Sequence, residues 1–241
     1  VSFDMAMRHL GGDALYLSPS EIGLGKREAI ADIARVLEGY VHGIMARVFE
    51  HEHVLQLAQW AKIPVINGLS DLTIMDKFGT LKDINVVYVG DGNNVAVSLM
   101  QICAKLGANF SIANPADYAM PPESIKAVHQ IAALSGTELA FFEDPHEAVR
   151  DAQVIYTDSW ISMGQEAETA VREKVFPPYQ VNQQLVSEAD PEVIVMHCLP
   201  AHRNQELTDE VADGPHSVIF KQAHNRLHAQ KAILYSLMKG K

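Results

Sequence analysis

The sequence predicts an α/β protein of two lobes, each a parallel sheet flanked by helices, with a C-terminal helix returning to the first lobe. Three observations point there. Short β-branched runs alternate with amphipathic stretches, the pattern of parallel strands joined by crossover helices. A polar turn at Lys77–Asp83, where a helix ends at Gly79, breaks the alternation just before the strongest strand and marks a boundary. The last amphipathic stretch, Gln222–Met238, is long enough to recross that boundary.

Taken in order, the first lobe offers strands at Ala14–Ser18, Gly43–Phe49 and Pro64–Asn67, with helices at Arg27–Leu37 and His51–Ala61. The second offers strands at Asn85–Gly90, Asn109–Ala113, Glu138–Phe142, Val154–Thr157 and Val193–His197. Its helices are Asn94–Leu106, Glu123–Ser135 and Pro145–Asp151. The expected domains are therefore residues 1–78, residues 79–221 and a returning helix at 222–241. No fixed-period repeat or low-complexity segment interrupts them.

Composition narrows the function. The 241 residues are 48% hydrophobic and 20% charged, which is ordinary for a globular protein. Nineteen basic residues against 30 acidic give a net charge of −11, and no basic cluster relieves it, so a phosphate-backbone partner meets repulsion. No nucleic-acid partner is expected. A small anionic substrate remains possible, because a few arginines set the local potential of a pocket. The two cysteines, Cys103 and Cys198, form no CxxC pair, which points away from a disulfide framework or structural zinc site and toward a reducing cytoplasm. Apolar runs fall short of a membrane span, and the first residues lack a charged-then-apolar signal, so no membrane partner is expected.

Three segments carry chemistry at the carboxyl ends of strands, where open sheets place ligands. Val87-Tyr88-Val89-Gly90-Asp91-Gly92-Asn93-Asn94 suggests a dinucleotide fingerprint, but Val95 stands where the third glycine belongs and no acidic residue follows at the usual distance. The two asparagines suit a ligand carboxylate or amine, or simply cap a helix. In Asp158-Ser159-Trp160-Ile161-Ser162-Met163-Gly164-Gln165, Asp158 can hold an ammonium group, Ser162 adds an acceptor, and Gly164 lets the loop flex over the site. The alternative there is a helix cap and a surface turn. In His197-Cys198-Leu199-Pro200, strand alternation turns His197 and Cys198 to opposite faces, which disfavours a metal chelate. Cys198 can position or help deprotonate an amine, or be a small buried hydrophobe, which is the better reading for Cys103. Arg47 and Arg226 are candidates for one phosphate, since a guanidinium fork binds its oxygens in pairs.

Together and in this order, GIMARVFEH, PVINGLSD, VVYVGDGNNVAVSLM, YTDSWISMGQE and MHCLPAHR resemble the ornithine branch of the aspartate/ornithine carbamoyltransferase family. The Asp-x-x-x-Ser-Met-Gly loop and the Cys of His-Cys-Leu-Pro separate that branch from the aspartate-specific one. The resemblance implies a carbamoyl-phosphate lobe followed by an ornithine lobe, and a homotrimer or a multiple of trimers. It also implies that Asn94, Asp158, Ser162 and the backbone at Met163 hold the amino-acid end of ornithine. Asp158 and Cys198 would face the reactive amine. Arg47, Arg226 and the backbone at Cys198 and Leu199 would contact carbamoyl phosphate, with Arg47 stabilising charge during transfer. No metal or organic cofactor is called for.

Two family segments fall outside these residues. Ser-Thr-Arg-Thr-Arg would immediately precede Val1, and His-Pro-x-Gln would follow Ser70-Asp71, where this chain passes directly to Leu72-Thr73-Ile74. Both bind the phosphate of one substrate, so a complete enzyme is expected to carry them. The competing readings are a ligand-binding relative without catalysis, a nicotinamide-dependent oxidoreductase, and a carbamoyltransferase for another amine such as putrescine.

Overall fold

In the computed structural model, which describes residues 1–18, 28–46, 51–67, 73–162 and 165–239, the chain divides into two units. One comprises Val1–Asp71 with His224–Lys241, and the other Leu72–Ala223.

The first unit contains α1 (Ser2–His9), α2 (Ile30–Leu37), β1 (Ile44–Ala46), α3 (His51–Trp60) and β2 (Val65–Asn67). β1 and β2 pair in parallel, Ile44 opposite Val65 and Ala46 opposite Asn67. On one side Ile30, Ala34, Ala46 and Leu57 are buried together. Ala6 of α1, Ile66 of β2 and Leu234 near the chain's end form a second small core. The expected strand at Ala14–Ser18 is absent. Those residues have no regular structure, and Leu15 and Tyr16 are about four-fifths exposed (78% and 81%). The run has no β-branched residue, and an apolar run becomes a strand only beside a neighbour, whereas the described strands of this unit pair with each other. The expected strand ending at Phe49 is described only as far as Ala46.

The second unit opens with α4 (Thr73–Phe78), whose Ile74 is buried in this unit's core. The division therefore falls at residues 71 and 72 rather than after residue 78. Next come β3 (Asn85–Val89), α5 (Asn94–Leu106), β4 (Asn109–Ala113), α6 (Pro122–Ser135), β5 (Leu139–Phe142), α7 (Pro145–Ala148) and β6 (Val154–Thr157). α8 (Thr169–Val175), α9 (Gln183–Ser187), β7 (Ile194–His197) and α10 (Asp209–Ala212) complete it. α11 (Ile219–Met238) begins here and runs into the residues grouped with the first unit.

The five strands form one parallel sheet ordered β5-β4-β3-β6-β7. β3, β6 and β7 are buried almost throughout, as continuous apolar strands covered on both faces should be. Val86, Tyr88, Phe110, Ile112 and Met196 pack against α5 on one face, while Val87, Val89, Ile155 and Val195 face Trp160, Phe176 and Leu185 on the other. Each such side chain contributes about 1.5–3 kcal/mol of burial. α5 shows how local sequence serves this core. Val95, Ala96, Leu99, Met100, Cys103 and Ala104 fall on one face at helical spacing, and Gly107 ends the helix at φ 79, donating its N–H to Cys103 O.

Candidate active site

The sheet order creates a crevice. β3 lies between β4 and β6, so the chain leaves its two sides in opposite directions, and the loops after β3 and β6 flank a topological switch point. The segment after β7 lies beside them. These are the three segments the sequence singles out.

The turn after β3 is poorly suited to cradle a pyrophosphate as a dinucleotide fingerprint does, because three of its amides are already committed. Gly90 N–H donates to Ala113 O, Gly92 N–H to Tyr118 O, and Asn93 N–H to Asp91 O. The Asn93 side chain caps α5 by accepting from Val95 and Ala96 N–H at 2.9 and 3.1 Å. Gly92 serves close packing, since a Cβ there would lie 2.4 Å from Met120 N and 2.6 Å from Ala119 C. Asp91 is buried and bonds Arg172 of α8 at 2.7 Å. Burial raises its carboxyl above the ordinary aspartate value, and Arg172 pulls it back down. Asn94, the asparagine expected to meet a ligand, has an exposed side chain.

Asp158 stands at the end of β6, half-buried, with three donors around its carboxylate. Ser159 N–H donates to Oδ1 at 2.8 Å, Cys198 Sγ–H to the same oxygen at 2.9 Å, and Asn93 Nδ2 to Oδ2 at 3.2 Å. Residues from all three loops thus meet at one carboxylate. Residues 159–162 contain no helix, so Asp158 caps none there. Among the described residues its donors are neutral. The negative charge is oriented but not cancelled, and lone-pair capacity remains for an ammonium group. Cys198 is half-buried, whereas Cys103 is a buried hydrophobe whose thiol is pushed up to about 12 by desolvation.

The strand-end residue His197 is buried and fully used. Its Nδ1 accepts from Leu199 N–H at 2.8 Å, which leaves the proton on Nε2 to be donated to Glu206 Oε1 at 3.1 Å. Its own N–H donates to Gln222 Oε1 at 2.9 Å, and Gln222 Nε2 donates to the Tyr156 hydroxyl at 3.0 Å. Glu206 Oε1 also accepts from His202 N–H. This frame holds Leu199 at φ 54, a conformation costly for a side chain with a Cβ. Ligand atoms of Asp158, His197 and Cys198 lie within 4.8 Å of one another, closer than strand alternation suggests. A metal there would have to displace one of the hydrogen bonds of His197.

The remaining candidates separate. Ser162 is half-buried, and its backbone N–H donates to Gln165 Oε1 at 3.1 Å, while Gln165 N–H returns to Ser162 O at 3.0 Å. Arg47, Met163 and Gly164 lie outside the described residues. Arg226, on α11, belongs to the first unit. Sequence reasoning missed Asn93 as the partner of Asp158, and missed Glu206, Gln222 and Arg172. Each is polar and wholly or largely buried, and only the fold reveals that.

Residues 82–237 match the family model described as the Asp/Orn binding domain of aspartate/ornithine carbamoyltransferase, and residues 1–73 match its carbamoyl-P binding domain. The chain is 54% identical to the anabolic ornithine carbamoyltransferase of Pyrococcus furiosus, covering 100% of this chain and 80% of that protein. It is 52% identical to the ornithine carbamoyltransferase of Bacillus subtilis, covering 99% of this chain and 78% of that protein. Among solved structures, the ornithine carbamoyltransferase of P. furiosus superposes with a TM-score of 0.93 at 53% identity, covering 100% of this chain and 80% of that one.

Proposed function

Because the chain belongs to the aspartate/ornithine carbamoyltransferase family, we propose that it transfers the carbamoyl group of carbamoyl phosphate to the side-chain amine of L-ornithine, giving L-citrulline and phosphate. The observation that carries the choice of ornithine is the Asp158 carboxylate, bonded by the Cys198 thiol and the Asn93 amide at the sheet's switch point. An alkyl-ammonium group is attracted there. The second carboxylate of an aspartate substrate would be repelled.

In this reading Asp158 holds and orients the amine, and Asp158 and Cys198 together help it lose a proton. The neutral amine attacks the carbonyl carbon. The tetrahedral intermediate then expels phosphate as the carbon–oxygen bond breaks, and the second amine proton leaves with the phosphate. Asn94, Ser162 and the backbone at Met163 take the amino-acid end. Arg47, Arg226 and the backbone at Cys198 and Leu199 take carbamoyl phosphate, the arginines balancing charge on the carbonyl and leaving group. Since Leu199 N–H is committed to His197, its carbonyl is the group left to accept from the carbamoyl NH2. Family membership supports a homotrimer or a multiple of trimers. A cytoplasmic enzyme fits two free thiols, and among the described residues no helix is long and apolar enough to cross a membrane.

The test is product analysis with carbamoyl phosphate and one amine at a time. Citrulline from ornithine should exceed the carbamoyl products of aspartate and putrescine by orders of magnitude. A preference for aspartate or putrescine would overturn the assignment.

A further inference from the structure

Arg172 lies outside every segment discussed so far as a binding element, yet its guanidinium is 4% exposed and has more partners than any other described arginine side chain in the second unit. Nη1 donates to Asp91 Oδ2 at 2.7 Å and to the Trp160 carbonyl at 2.8 Å, while Nε donates to Glu168 Oε2 at 2.9 Å. The cation also sits 4.7 Å from the Tyr118 ring centre and 5.7 Å from that of Phe176. Burying a guanidinium is expensive unless its donors are met, and here the partners come from two functional stretches. Asp91 begins the turn that carries Asn93 and Asn94. Trp160 O lies two residues after Asp158, at the start of the segment that carries Ser162. Glu168 lies just beyond the end of that segment.

On the reading that the site binds ornithine, we infer that Arg172 is a positioning residue that fixes the ornithine pocket without touching substrate. One planar cation pins both ends of the segment between Trp160 and Glu168, and ties that segment to the Asp91–Asn94 turn. The Asn93–Asp158 bond already ties the turn to Asp158, and the guanidinium's rigid fork then fixes the distance from Asn94 to Ser162. Lysine cannot replace it, because a single ammonium point cannot reach a carbonyl and two carboxylates in three fixed directions. Carbamoyl phosphate is assigned to other groups, so its binding should not depend on this brace.

The test compares three variants in the full chain. Glu168→Gln weakens one exposed arm at little risk to folding. Arg172→Lys keeps the charge and loses the fork. The double variant Asp91→Asn/Arg172→Met removes the cation without leaving a buried unpaired carboxylate. The KM for ornithine should rise a few-fold in Glu168→Gln and about tenfold or more in the other two, where tenfold corresponds to about 1.4 kcal/mol. The KM for carbamoyl phosphate should move less than about twofold, as expected of an interaction confined to one binding step. Hydrogen exchange gives a readout independent of turnover. The Ser162 and Gln165 amides should exchange faster in all three variants while β3 and β6 stay protected. Unchanged ornithine KM and exchange in folded variants, or an equal rise in KM for both substrates, would overturn the role of Arg172. Failure of the ornithine reading itself would show separately, as absence of citrulline from the unmodified enzyme.

Discussion

The two cysteines show how much environment decides the chemistry of one residue type. Cys103 is held in the apolar face of α5 with its thiol pushed up to about 12, whereas Cys198 is half-buried against Asp158. Alkylation of the native protein at pH 8 should therefore modify one thiol per chain, Cys198, and leave Cys103 intact; fast labelling of both would contradict this packing. Cys198→Ser should lower the rate with ornithine and shift its pH dependence, because a hydroxyl has a similar shape but is a far weaker acid than the thiol that donates to Asp158. Normal kinetics alongside a lowered melting temperature would instead make Cys198 a packing residue. Asp158 and Cys198 were legible in the sequence, since each follows an apolar run that could only be a buried strand. Asn93 was harder. A pair of adjacent asparagines does not reveal that the first caps the helix and supports Asp158 while the second is exposed.

At the scale of elements, the strands of the second unit were readable because β-branched runs buried on both faces have no other stable home. Ala14–Ser18 is apolar but has no β-branched residue, and it is not a strand; pairing is a property of two segments and the sequence shows one. α1 and the short helices α8 to α10 were missed, and two of these span only four or five residues, too short for apolar periodicity to register. Gly92 tests the turn after β3. Gly92→Ala would drive a Cβ into backbone atoms of residues 118–120, and should cost about 1–3 kcal/mol in a denaturant titration. The segment after β7 offers a pH test. Arg203 bonds Asp213 and Asp209, and those bonds hold both carboxyls below the ordinary aspartate value of 3.8. A depressed folded-state value means stability that is present above 3.8 and lost as pH falls through the depressed values. Arg203→Met should therefore lower the melting temperature slightly at pH 7, by an amount that fades below about pH 4 and in high salt. A difference independent of both would point to packing instead.

For the whole molecule, the groups proposed for the two substrates are distributed unequally. Arg47 and Arg226 belong to the first unit, Cys198 and Leu199 to the second, and every residue proposed for ornithine belongs to the second. Cys198 is proposed to face both substrates, so carbamoyl phosphate should bind first and complete the ornithine site beside it. In calorimetry a stable carbamoyl-phosphate analogue should bind alone, and norvaline appreciably only after it. Equal norvaline affinity with and without the analogue would remove the coupling, and reciprocity requires norvaline to tighten the analogue by the same factor. The central claim is that Asp158 directs an amine onto carbamoyl phosphate. Its most direct test is the simultaneous measurement of citrulline and phosphate released by the unmodified enzyme and by Asp158→Ala. The unmodified enzyme should release the two products in equal amounts, and the variant should fall by about a hundredfold or more while still binding the carbamoyl-phosphate analogue. Phosphate without citrulline, or undiminished turnover in Asp158→Ala, would contradict the account.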